Sequence, residues 1–277
     1  MAGRVDIDGH PTWVDDRGGA GEPLLLLHGG LSNSDALLNS IGSGLSEQFR
    51  VVAFDRRGHG YTADTDAGFH YDDMAIEAVR VLEDVVGAPA HLVGWSDGGI
   101  IALLVALRRP DLVDKLVVIG ANYHHDGVMS VEMDPHSPAM QELGNAYLER
   151  SPDGAGHLEV VFSKSLAMSS SEPALTTADV AQIPRPVLVV VGDDDFVTLP
   201  HTVSLYEALP EGQLAVVPGA SHALPLEQPD TVTGLILNFL AAAGPPQTLF
   251  PIRRARPARP WSPVPLPATE KARGTHR

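Results

Sequence analysis

The sequence predicts an α/β fold in which helices cover both faces of a mainly parallel sheet. The first observation is a series of six short apolar runs, each too short for a helix and continuously hydrophobic, as buried strands are. The second is that segments with helical periodicity lie between most of these runs, an alternation typical of parallel strands joined by crossover helices. The runs lie at 24–27, 51–54, 91–93, 116–119, 187–191 and 214–217.

Four helices are predicted from the spacing of apolar residues between these strands. The first can be capped by Asp72 or Asp73, has its apolar residues on one face and ends at Gly87. The second is apolar nearly all round and stops before a proline, as expected of a helix packed against a sheet. Upstream of all of them, strands at 5–7 and 12–14 can form an opening hairpin. The predicted helices lie at 72–87, 99–109, 202–209 and 231–243.

The regular alternation lapses in one internal segment and at the C-terminal end. From 121 to 183, Met, Ser, Pro and His cluster between two strands, over a length sufficient for a small inserted cap. Residues 245–277 include seven basic residues, one acidic residue and eight prolines without any periodicity, which is typical of a disordered or polyproline-like tail. We therefore predict a core formed by 1–120 and 184–244, a cap at 121–183 and a tail at 245–277.

Composition and charge exclude several classes of function. The chain has 277 residues, a net charge of −16 and no cysteine, so disulfides, thiolate metal sites and a cysteine nucleophile are impossible. Without its basic tail the chain is still more acidic, which makes nucleic acid a poor partner. No apolar run is long enough to cross a bilayer, and the first residues lack the apolar segment of a signal peptide. We expect a cytoplasmic protein that binds neither nucleic acid nor membrane, and its oligomeric state is left open.

The most specific motif is Gly94-Trp95-Ser96-Asp97-Gly98-Gly99, between the strand at 91–93 and the helix at 99–109. A serine in such a turn has a strained backbone that projects its hydroxyl clear of the sheet, and the glycines avoid collisions with neighbouring main chain. The N-terminal end of the helix and the amide of Asp97 would stabilise negative charge beside this serine. The alternative, a glycine-rich turn that merely includes a serine, is disfavoured by the position between strand and helix.

With this motif and four others, the sequence resembles the α/β-hydrolase superfamily from about residue 23 to residue 243. The resemblance implies the α/β-hydrolase fold, a mainly parallel twisted sheet flanked by helices with a small inserted cap. Within the superfamily, Gly94-Trp-Ser-Asp-Gly-Gly-Ile100 and Val118-Ile-Gly-Ala-Asn122 are most similar to the serine-nucleophile branch of biphenyl hydrolase-like, valacyclovir hydrolase-type esterases. The other motifs are an oxyanion loop at Leu24-Leu-Leu-Leu-His28-Gly29-Gly30, a turn at Phe54-Asp55-Arg56-Arg57-Gly58-His59-Gly60, an acid loop at Gly192-Asp193-Asp194-Asp195-Phe196-Val197 and a histidine loop at Gly219-Ala220-Ser221-His222.

A serine hydroxyl is a weak nucleophile at neutral pH and needs a base that is oriented by a third group. His222 fits the base, because it follows the strand at 214–217 in a Pro218-Gly219 turn, on the same edge of the sheet as Ser96. Asp195 is predicted to hold His222, with Asp193 and Asp194 as competing candidates. The order Ser96, Asp195, His222 along the chain is the order expected on this fold.

Two backbone amides are predicted to hold the oxyanion of a tetrahedral intermediate. One belongs to Asp97 and the other to Gly30, with Leu31 as the less favoured alternative. His28 is a poorer base than His222, since the order of residues would then be wrong, and is expected to shape the loop that carries Gly30.

Three residues, Trp95, Asp97 and Tyr123, are predicted to contact the substrate. The Asp97 carboxylate could pair with an ammonium group, which is the use that the resemblance implies, or it could cap the helix that follows. The sequence leaves both readings open. Arg56 and Arg57 could bind an anionic substrate, but a salt bridge that anchors their turn is favoured.

These residues together predict a cofactor-independent serine hydrolase that cleaves a small carboxylic ester, thioester or lactone through an acyl-enzyme. Hydrolysis of a carbon–carbon bond and perhydrolysis are alternatives that use the same triad. A non-hydrolytic lyase or oxygenase, and a ligand-binding receptor on the same fold, are the others. No metal is predicted, because the spacing of His124, His125, Asp126 and His136 is not that of a typical zinc site.

Overall fold

The computed structural model describes residues 1–130, 137–244 and 248–252. The chain divides into two units, Met1–Ala241 and Ala242–Arg277, and the helices and strands named below all belong to the first. Eight strands of the described residues form one sheet. In chain order they are β1 (Ala2–Ile7), β2 (His10–Asp16), β3 (Pro23–Leu27), β4 (Arg50–Phe54), β5 (Ala90–Trp95), β6 (Val113–Ile119), β7 (Val187–Asp194) and β8 (Gly212–Ser221).

The sheet is parallel except at one edge. Its strands lie in the order β1-β2-β4-β3-β5-β6-β7-β8, and only the pairs β1 with β2 and β2 with β4 are antiparallel. This topology confirms the predicted α/β fold and the opening hairpin. Because parallel strands end at the same edge of a sheet, the loops that follow β3, β5, β6, β7 and β8 meet there, where ligands usually bind in open α/β sheets.

Helices cover both faces of the sheet, and none within the described residues is long and apolar enough to cross a bilayer. The four predicted helices correspond to α3, α4, α8 and α10 below. A pair of short helices between β3 and β4, joined by a π-helical turn at Leu38–Gly42, was not predicted. The α-helices are α1 (Ser34–Leu37), α2 (Ser43–Ser46), α3 (Tyr71–Val81), α4 (Asp97–Arg108), α5 (Pro138–Arg150), α6 (Leu158–Ser169), α7 (Thr177–Val180), α8 (Leu199–Ala208), α9 (Leu224–Glu227) and α10 (Pro229–Leu240).

Two details of the predicted elements are wrong. Helix α3 begins two or three residues earlier than a cap at Asp72 or Asp73 would allow, because His70 occupies the N-cap position and both aspartates lie in the first turn. Strand β8 runs on to Ser221, so Pro218 and Gly219 are inside the strand and not in a turn that ends it. A register shift between β7 and β8 and the positive φ of Gly219, 66°, accommodate the bend.

Alternating residues of the central strands supply the two halves of the core. Leu25 and Leu27 of β3 pack with α3, α4 and parts of α5 to α7, while Leu24 and Leu26 pack with α1, α2 and α10 on the opposite face. All four side chains are buried. Burial of each contributes about 1.5–3 kcal/mol to folding. Because successive side chains of β3 are buried on opposite faces, the strand is an unbroken apolar run in the sequence.

Helices α5, α6 and α7 lie in the described part of 121–183, the segment predicted as a cap. Charged contacts connect this part of the chain to a loop of the core and to helix α1. The buried carboxylate of Asp64 accepts hydrogen bonds from His157 Nε2 at 2.8 Å and from Lys164 Nζ at 2.6 Å. Arg150 Nε donates to Asp35 Oδ2 at 3.0 Å. The predicted tail at 245–277 falls mostly outside the described residues.

Candidate active site

Ser96 lies at the sharp turn between β5 and α4, with φ 55° and ψ −121°. A non-glycine residue in this conformation is strained, and such strain is typical of functional sites. The flanking glycines are required by close main-chain packing. A Cβ atom on Gly94 would lie 2.2 Å from the carbonyl oxygen of Gly98, and one on Gly98 would lie 2.0 Å from that of Leu27. The predicted strand-to-helix turn is therefore present, with Ser96 at its tip.

The structure brings together the three residues predicted as a triad. The Nε2 atom of His222 lies 2.9 Å from Ser96 Oγ, and its Nδ1 atom lies 2.8 Å from Asp195 Oδ1. Because a carboxylate can only accept, Nδ1 carries the proton and Nε2 presents its lone pair to the serine hydroxyl. The Asp195 side chain is 1% exposed and the His222 side chain 18% exposed. This arrangement can deprotonate the serine as it attacks a carbonyl carbon.

The three adjacent aspartates at the end of β7, Asp193 and Asp194 within the strand and Asp195 directly after it, have different surroundings. Asp195 Oδ1 accepts the Val197 amide at 2.9 Å in addition to the imidazole. Asp193 Oδ1 accepts the amide of Gly219 at 2.7 Å and so ties the acid loop to β8, while Asp194 is exposed. Only Asp195 of the three lies against His222, as the sequence predicts.

Three residues around His222 were not predicted in the roles that they have. The indole N–H of Trp95 donates to the main-chain carbonyl of His222 at 2.8 Å. The Phe196 ring covers the imidazole, with 3.8 Å between ring centroids. Gly120 follows β6 with a φ of 55°, and a Cβ atom there would lie 3.0 Å from Asp195 Oδ2 and 3.1 Å from His222 Nδ1. A glycine directly after a predicted strand and before the cap was the only signal for this last position.

The loop of residues 28–31, called the 28–31 loop below, lies beside Ser96. A Cβ atom on Gly29 would be 3.4 Å from Ser96 Cβ, and one on Gly30 would be 2.6 Å from Asp97 Oδ2. Asp97 is the first residue of α4, so no carbonyl of the helix accepts its amide N–H. The predicted oxyanion donors therefore belong to two segments that meet at the nucleophile. Whether they bind an oxyanion stays a prediction.

His28 shapes this loop, as predicted. Its Nδ1 atom donates to the Gly29 carbonyl at 2.8 Å, and its Nε2 atom accepts the Arg56 amide at 3.2 Å. Burial, with a smaller effect of the Arg56 cation, lowers the pKa of His28 well below its usual value. The imidazole is therefore neutral at physiological pH.

Arg56 and Arg57 have separate tasks. Arg56 is fully buried and donates to the main-chain carbonyls of His28 and Gly29, the latter at 3.1 Å from Nη2. Arg57 donates to the carbonyls of Ala67 and Gly68 and so holds the loop that leads to α3. Arg57 fits the predicted anchoring of a turn, although through main-chain carbonyls and not through a salt bridge.

Each residue predicted to contact substrate has a polar group bound within the protein. The Trp95 indole holds His222, as described above. The Tyr123 hydroxyl lies 2.9 Å from Ser204 Oγ, and its ring stacks on His201 with centroids 4.1 Å apart. Asp97 Oδ1 accepts the hydroxyl of Tyr71 at 2.7 Å, and the side chain does not cap α4, whose N-cap is Ser96. Substrate contacts for these three residues stay predictions.

Three of the four residues considered for a metal lie close together. Ligand atoms of His124, His125 and Asp126 fall within 4.8 Å of one another, while His136 is outside the described residues. The Asp126 side chain is exposed, and His124 Nδ1 accepts the Asp126 amide at 3.2 Å as the cap of a short turn. The hydrogen bonds given for these three residues go to Asn122, Gly127, Pro173 and one another, and not to the triad. No metal enters the chemistry below.

Comparison with known proteins agrees with the fold. Among curated proteins, "Putative carbamate hydrolase RutD" of Agrobacterium fabrum is 28% identical over 257 residues, covering 83% of this chain and 97% of its own. Serine hydrolase BPHL of Mus musculus is 27% identical over 241 residues, covering 81% of each chain.

Solved structures show the same fold at lower identity. A serine hydrolase of carbazole degradation, CarC, superposes with a TM-score of 0.73 at 21% identity, covering 87% of this chain and 98% of its own. A 2-hydroxy-6-oxo-6-phenylhexa-2,4-dienoate hydrolase of Rhodococcus superposes with a TM-score of 0.71 at 20% identity, covering 87% and 99%. Residues 24–235, most of the chain, match the model of the alpha/beta hydrolase family. The chain therefore belongs to the alpha/beta hydrolase family of enzymes.

Proposed function

We propose that this protein is a serine hydrolase that cleaves a small carboxylic ester, thioester or lactone through an acyl-enzyme intermediate. The observation that carries the proposal is the pair of hydrogen bonds that joins Ser96 Oγ to His222 Nε2 at 2.9 Å and His222 Nδ1 to Asp195 Oδ1 at 2.8 Å. Two further features support the proposal. The strained backbone of Ser96 is typical of a nucleophilic serine, and the Asp97 amide at the start of α4 can donate to an oxyanion.

The first half of the reaction forms the acyl-enzyme. Ser96 Oγ bonds to the carbonyl carbon while His222 Nε2 takes the hydroxyl proton, and the carbonyl oxygen becomes an oxyanion. The amides of Gly30 and Asp97 hold that oxyanion, and each such donor is worth about a hundred- to a thousandfold in rate. Asp195 stabilises the imidazolium and keeps its orientation. Collapse of the intermediate breaks the bond to the leaving group, which receives the proton from His222.

The second half releases the acid. Water takes the place of the leaving group and gives a proton to His222 as its oxygen attacks the acyl carbon. The bond to Ser96 then breaks, and the serine recovers its proton from the imidazolium. The three residues return to their starting states, so no cofactor is consumed.

A second candidate is the hydrolysis of a carbamate, which the RutD relatives favour, since they are named for that activity and match this chain over nearly their whole length. The triad would perform the same steps: the alcohol leaves with the proton from His222, and water then hydrolyses the carbamoyl-serine. A matched pair of substrates, an aryl ester and the corresponding carbamate, separates the two candidates by their values of kcat/KM.

The test combines covalent labelling with turnover. A fluorophosphonate and short p-nitrophenyl esters, a thioester and a lactone are offered to the wild type, to Ser96→Ala and to a matched control, Ser163→Ala. Ser163 is an exposed serine of α6 that donates to the Glu159 carbonyl. We expect labelling and turnover in the wild type and in the control, and a loss of at least about a thousandfold in Ser96→Ala.

Three other outcomes would favour a different function or a different nucleophile. An unlabelled wild type that binds esters without turning them over would favour a ligand-binding receptor. Label on a residue other than Ser96 would contradict the assignment of the nucleophile. Activity confined to a vinylogous diketone or to hydrogen peroxide with a carboxylic acid would identify the carbon–carbon hydrolase or the perhydrolase among the alternatives.

A further inference from the structure

The guanidinium of Arg56 is 0% exposed and is committed to the 28–31 loop. Its Nη1 atom donates to the carbonyl of His28, and its Nη2 atom donates to the carbonyl of Gly29 at 3.1 Å. Burial of a cation is costly unless its environment repays the cost. Arg56 binds two consecutive main-chain carbonyls beside the nucleophile. Its burial therefore indicates that this loop must keep a particular conformation.

The carbonyl of Gly29 is held by two donors, since His28 Nδ1 also donates to it at 2.8 Å. In a planar trans peptide the carbonyl oxygen and the next amide hydrogen point to opposite sides. The contacts on the Gly29 oxygen therefore fix the direction of the Gly30 N–H, which points away from the guanidinium. If this peptide turned over, the carbonyl oxygen would take the place of the N–H and repel an oxyanion.

We propose that Arg56 is a positioning residue that locks the Gly29–Gly30 peptide with its N–H directed at the oxyanion of the proposed acyl transfer. The inference rests on the proposed function and deepens it, because it assigns the preorganisation of one oxyanion donor to a residue that does not touch substrate. Such preorganisation stabilises the transition state without a rearrangement during the reaction.

Glu77 and Asp55 also act on the Arg56 cation, but the ion pair that the structure shows is with Asp97. Its Oδ2 atom lies 3.7 Å from Arg56 Nη2, and its Oδ1 atom accepts the hydroxyl of Tyr71 at 2.7 Å. The same residue provides the other predicted donor through its amide. One network thus connects both donors: Arg56 holds the peptide of Gly30, and the Asp97 side chain holds Arg56.

The network also explains two features of the sequence. Gly30 has no side chain, because a Cβ atom there would lie 2.6 Å from Asp97 Oδ2. Asp97 follows the nucleophile as the internal counter-ion of Arg56, so an ammonium group of a substrate would have to compete with an arginine that is already in place. Asp97→Asn should therefore lower kcat for neutral esters and for amino-acid esters by the same factor.

The test compares an ester with the matching thionoester, whose C=S sulfur is a poor hydrogen-bond acceptor. A working oxyanion donor favours the ester, so the ratio of the two kcat values reports the donor itself. We expect Arg56→Met to lower kcat for the ester by about a hundredfold, with KM changed much less, and to reduce the ester-to-thionoester ratio. Arg56→Lys keeps the charge but can bind only one of the two carbonyls well. Its ester-to-thionoester ratio should therefore lie between those of the wild type and of Arg56→Met.

Arg57→Met is the matched control, since Arg57 belongs to the same motif but binds the carbonyls of Ala67 and Gly68. Circular dichroism and thermal unfolding establish that each variant is folded. If Arg56→Met does not fold, Arg56→Lys and Tyr71→Phe carry the test, because Tyr71→Phe removes only the hydroxyl that binds Asp97. Arg56→Lys and Tyr71→Phe should both lower the ester-to-thionoester ratio, and Arg57→Met should have the wild-type ratio.

Two failures can be told apart. A folded Arg56→Lys and a folded Tyr71→Phe with the wild-type ratio would overturn the role of Arg56 while leaving the serine hydrolase intact. A wild type that neither reacts with a fluorophosphonate nor hydrolyses any ester would overturn the proposed function, and the role of Arg56 with it.

Discussion

The indole N–H of Trp95 donates to the main-chain carbonyl of His222 at 2.8 Å, so the residue directly before the nucleophile supports the predicted base. The two residues are 127 positions apart in the chain. Trp95 is buried in the hydrophobic core, so packing restricts the movement of its ring. We therefore expect the distance between Ser96 and His222 to depend on the Trp95 side chain.

Replacement of Trp95 by phenylalanine keeps a buried ring but removes the N–H. We expect the unfolding free energy to fall by about 1–2 kcal/mol, because the His222 carbonyl loses its donor. We also expect kcat for an ester to fall by about tenfold as the imidazole shifts relative to Ser96. Trp13→Phe is the control: Trp13 lies in β2, where its ring contacts Tyr61, and should affect stability only. Equal kcat values in both variants would contradict the support of His222 by Trp95.

The elbow itself can be tested with a pair of Gly→Ala substitutions. Gly98→Ala places a Cβ atom 2.0 Å from the Leu27 carbonyl oxygen, which belongs to β3 and cannot yield. We expect a loss of about 3 kcal/mol or more in the free energy of unfolding, or no folded protein. Gly234→Ala lies inside α10 with nothing within 4 Å of the new atom and should stabilise by about 0.5–1 kcal/mol. Urea titrations of both variants check these signs, and a stable Gly98→Ala would disprove the close packing.

Asp64 provides a test of the contacts between α6 and the core. Its carboxylate is buried, while Lys164 and His157 are 16% and 29% exposed, so solvent screens the pairs in part. We expect Asp64→Asn to lower the unfolding free energy by about 1–3 kcal/mol and to speed proteolysis between β6 and β7. In a double-mutant cycle with Lys164→Met, the two losses should sum to more than the loss in the double variant. Strict additivity would show that the pair contributes nothing.

His201 gives a prediction about pH. Burial, followed by the nearby His124, lowers the pKa of His201 to about 4. Between pH 4 and 6.5 the unfolded chain therefore binds a proton at this residue that the folded chain does not. The unfolding free energy must then fall as the pH falls through this window. His201→Gln, whose side-chain oxygen can still accept the Tyr123 amide, should reduce that slope by up to about 1.4 kcal/mol per pH unit.

His70 serves as a control of opposite sign. The hydrogen bond that His70 donates to the Glu172 carboxylate raises the pKa of His70, so its stabilising effect is present below about pH 6.5 and is lost as the pH rises above that value. The effect is small because the side chain is largely exposed. His70→Gln should leave the slope below pH 6 unchanged. An unchanged slope in His201→Gln would instead show that His201 titrates alike in both states.

The fold and the principal contacts of the site were accessible from the sequence because each has a local signature. Strands buried on both faces are continuous apolar runs, and the turn at Ser96 needs its glycines at fixed positions. The residues Ser96, Asp195 and His222 each follow a predicted strand, so a parallel sheet brings them to one edge. Their order along the chain then suffices to propose the triad.

The supporting contacts could not be predicted, because they depend on the distance between side chains that are remote in the sequence. Nothing near Arg56 indicates that its guanidinium binds the carbonyls of a loop 27 positions earlier. The partner of Asp97 on α3, Tyr71, lies 26 positions away, so an ammonium site and a helix cap were equally consistent with the sequence. The missed helices α1 and α2 are only four residues each, too short for a periodic pattern.

The position of His222 has a consequence for the synthesis of the protein. This residue directly follows β8, which is the last strand of the described sheet to leave the ribosome and forms its edge. A growing chain thus displays its serine long before the imidazole emerges to activate it. Under the proposed chemistry, hydrolytic power is withheld until His222 has been synthesised, and a product that terminates before this residue is inert.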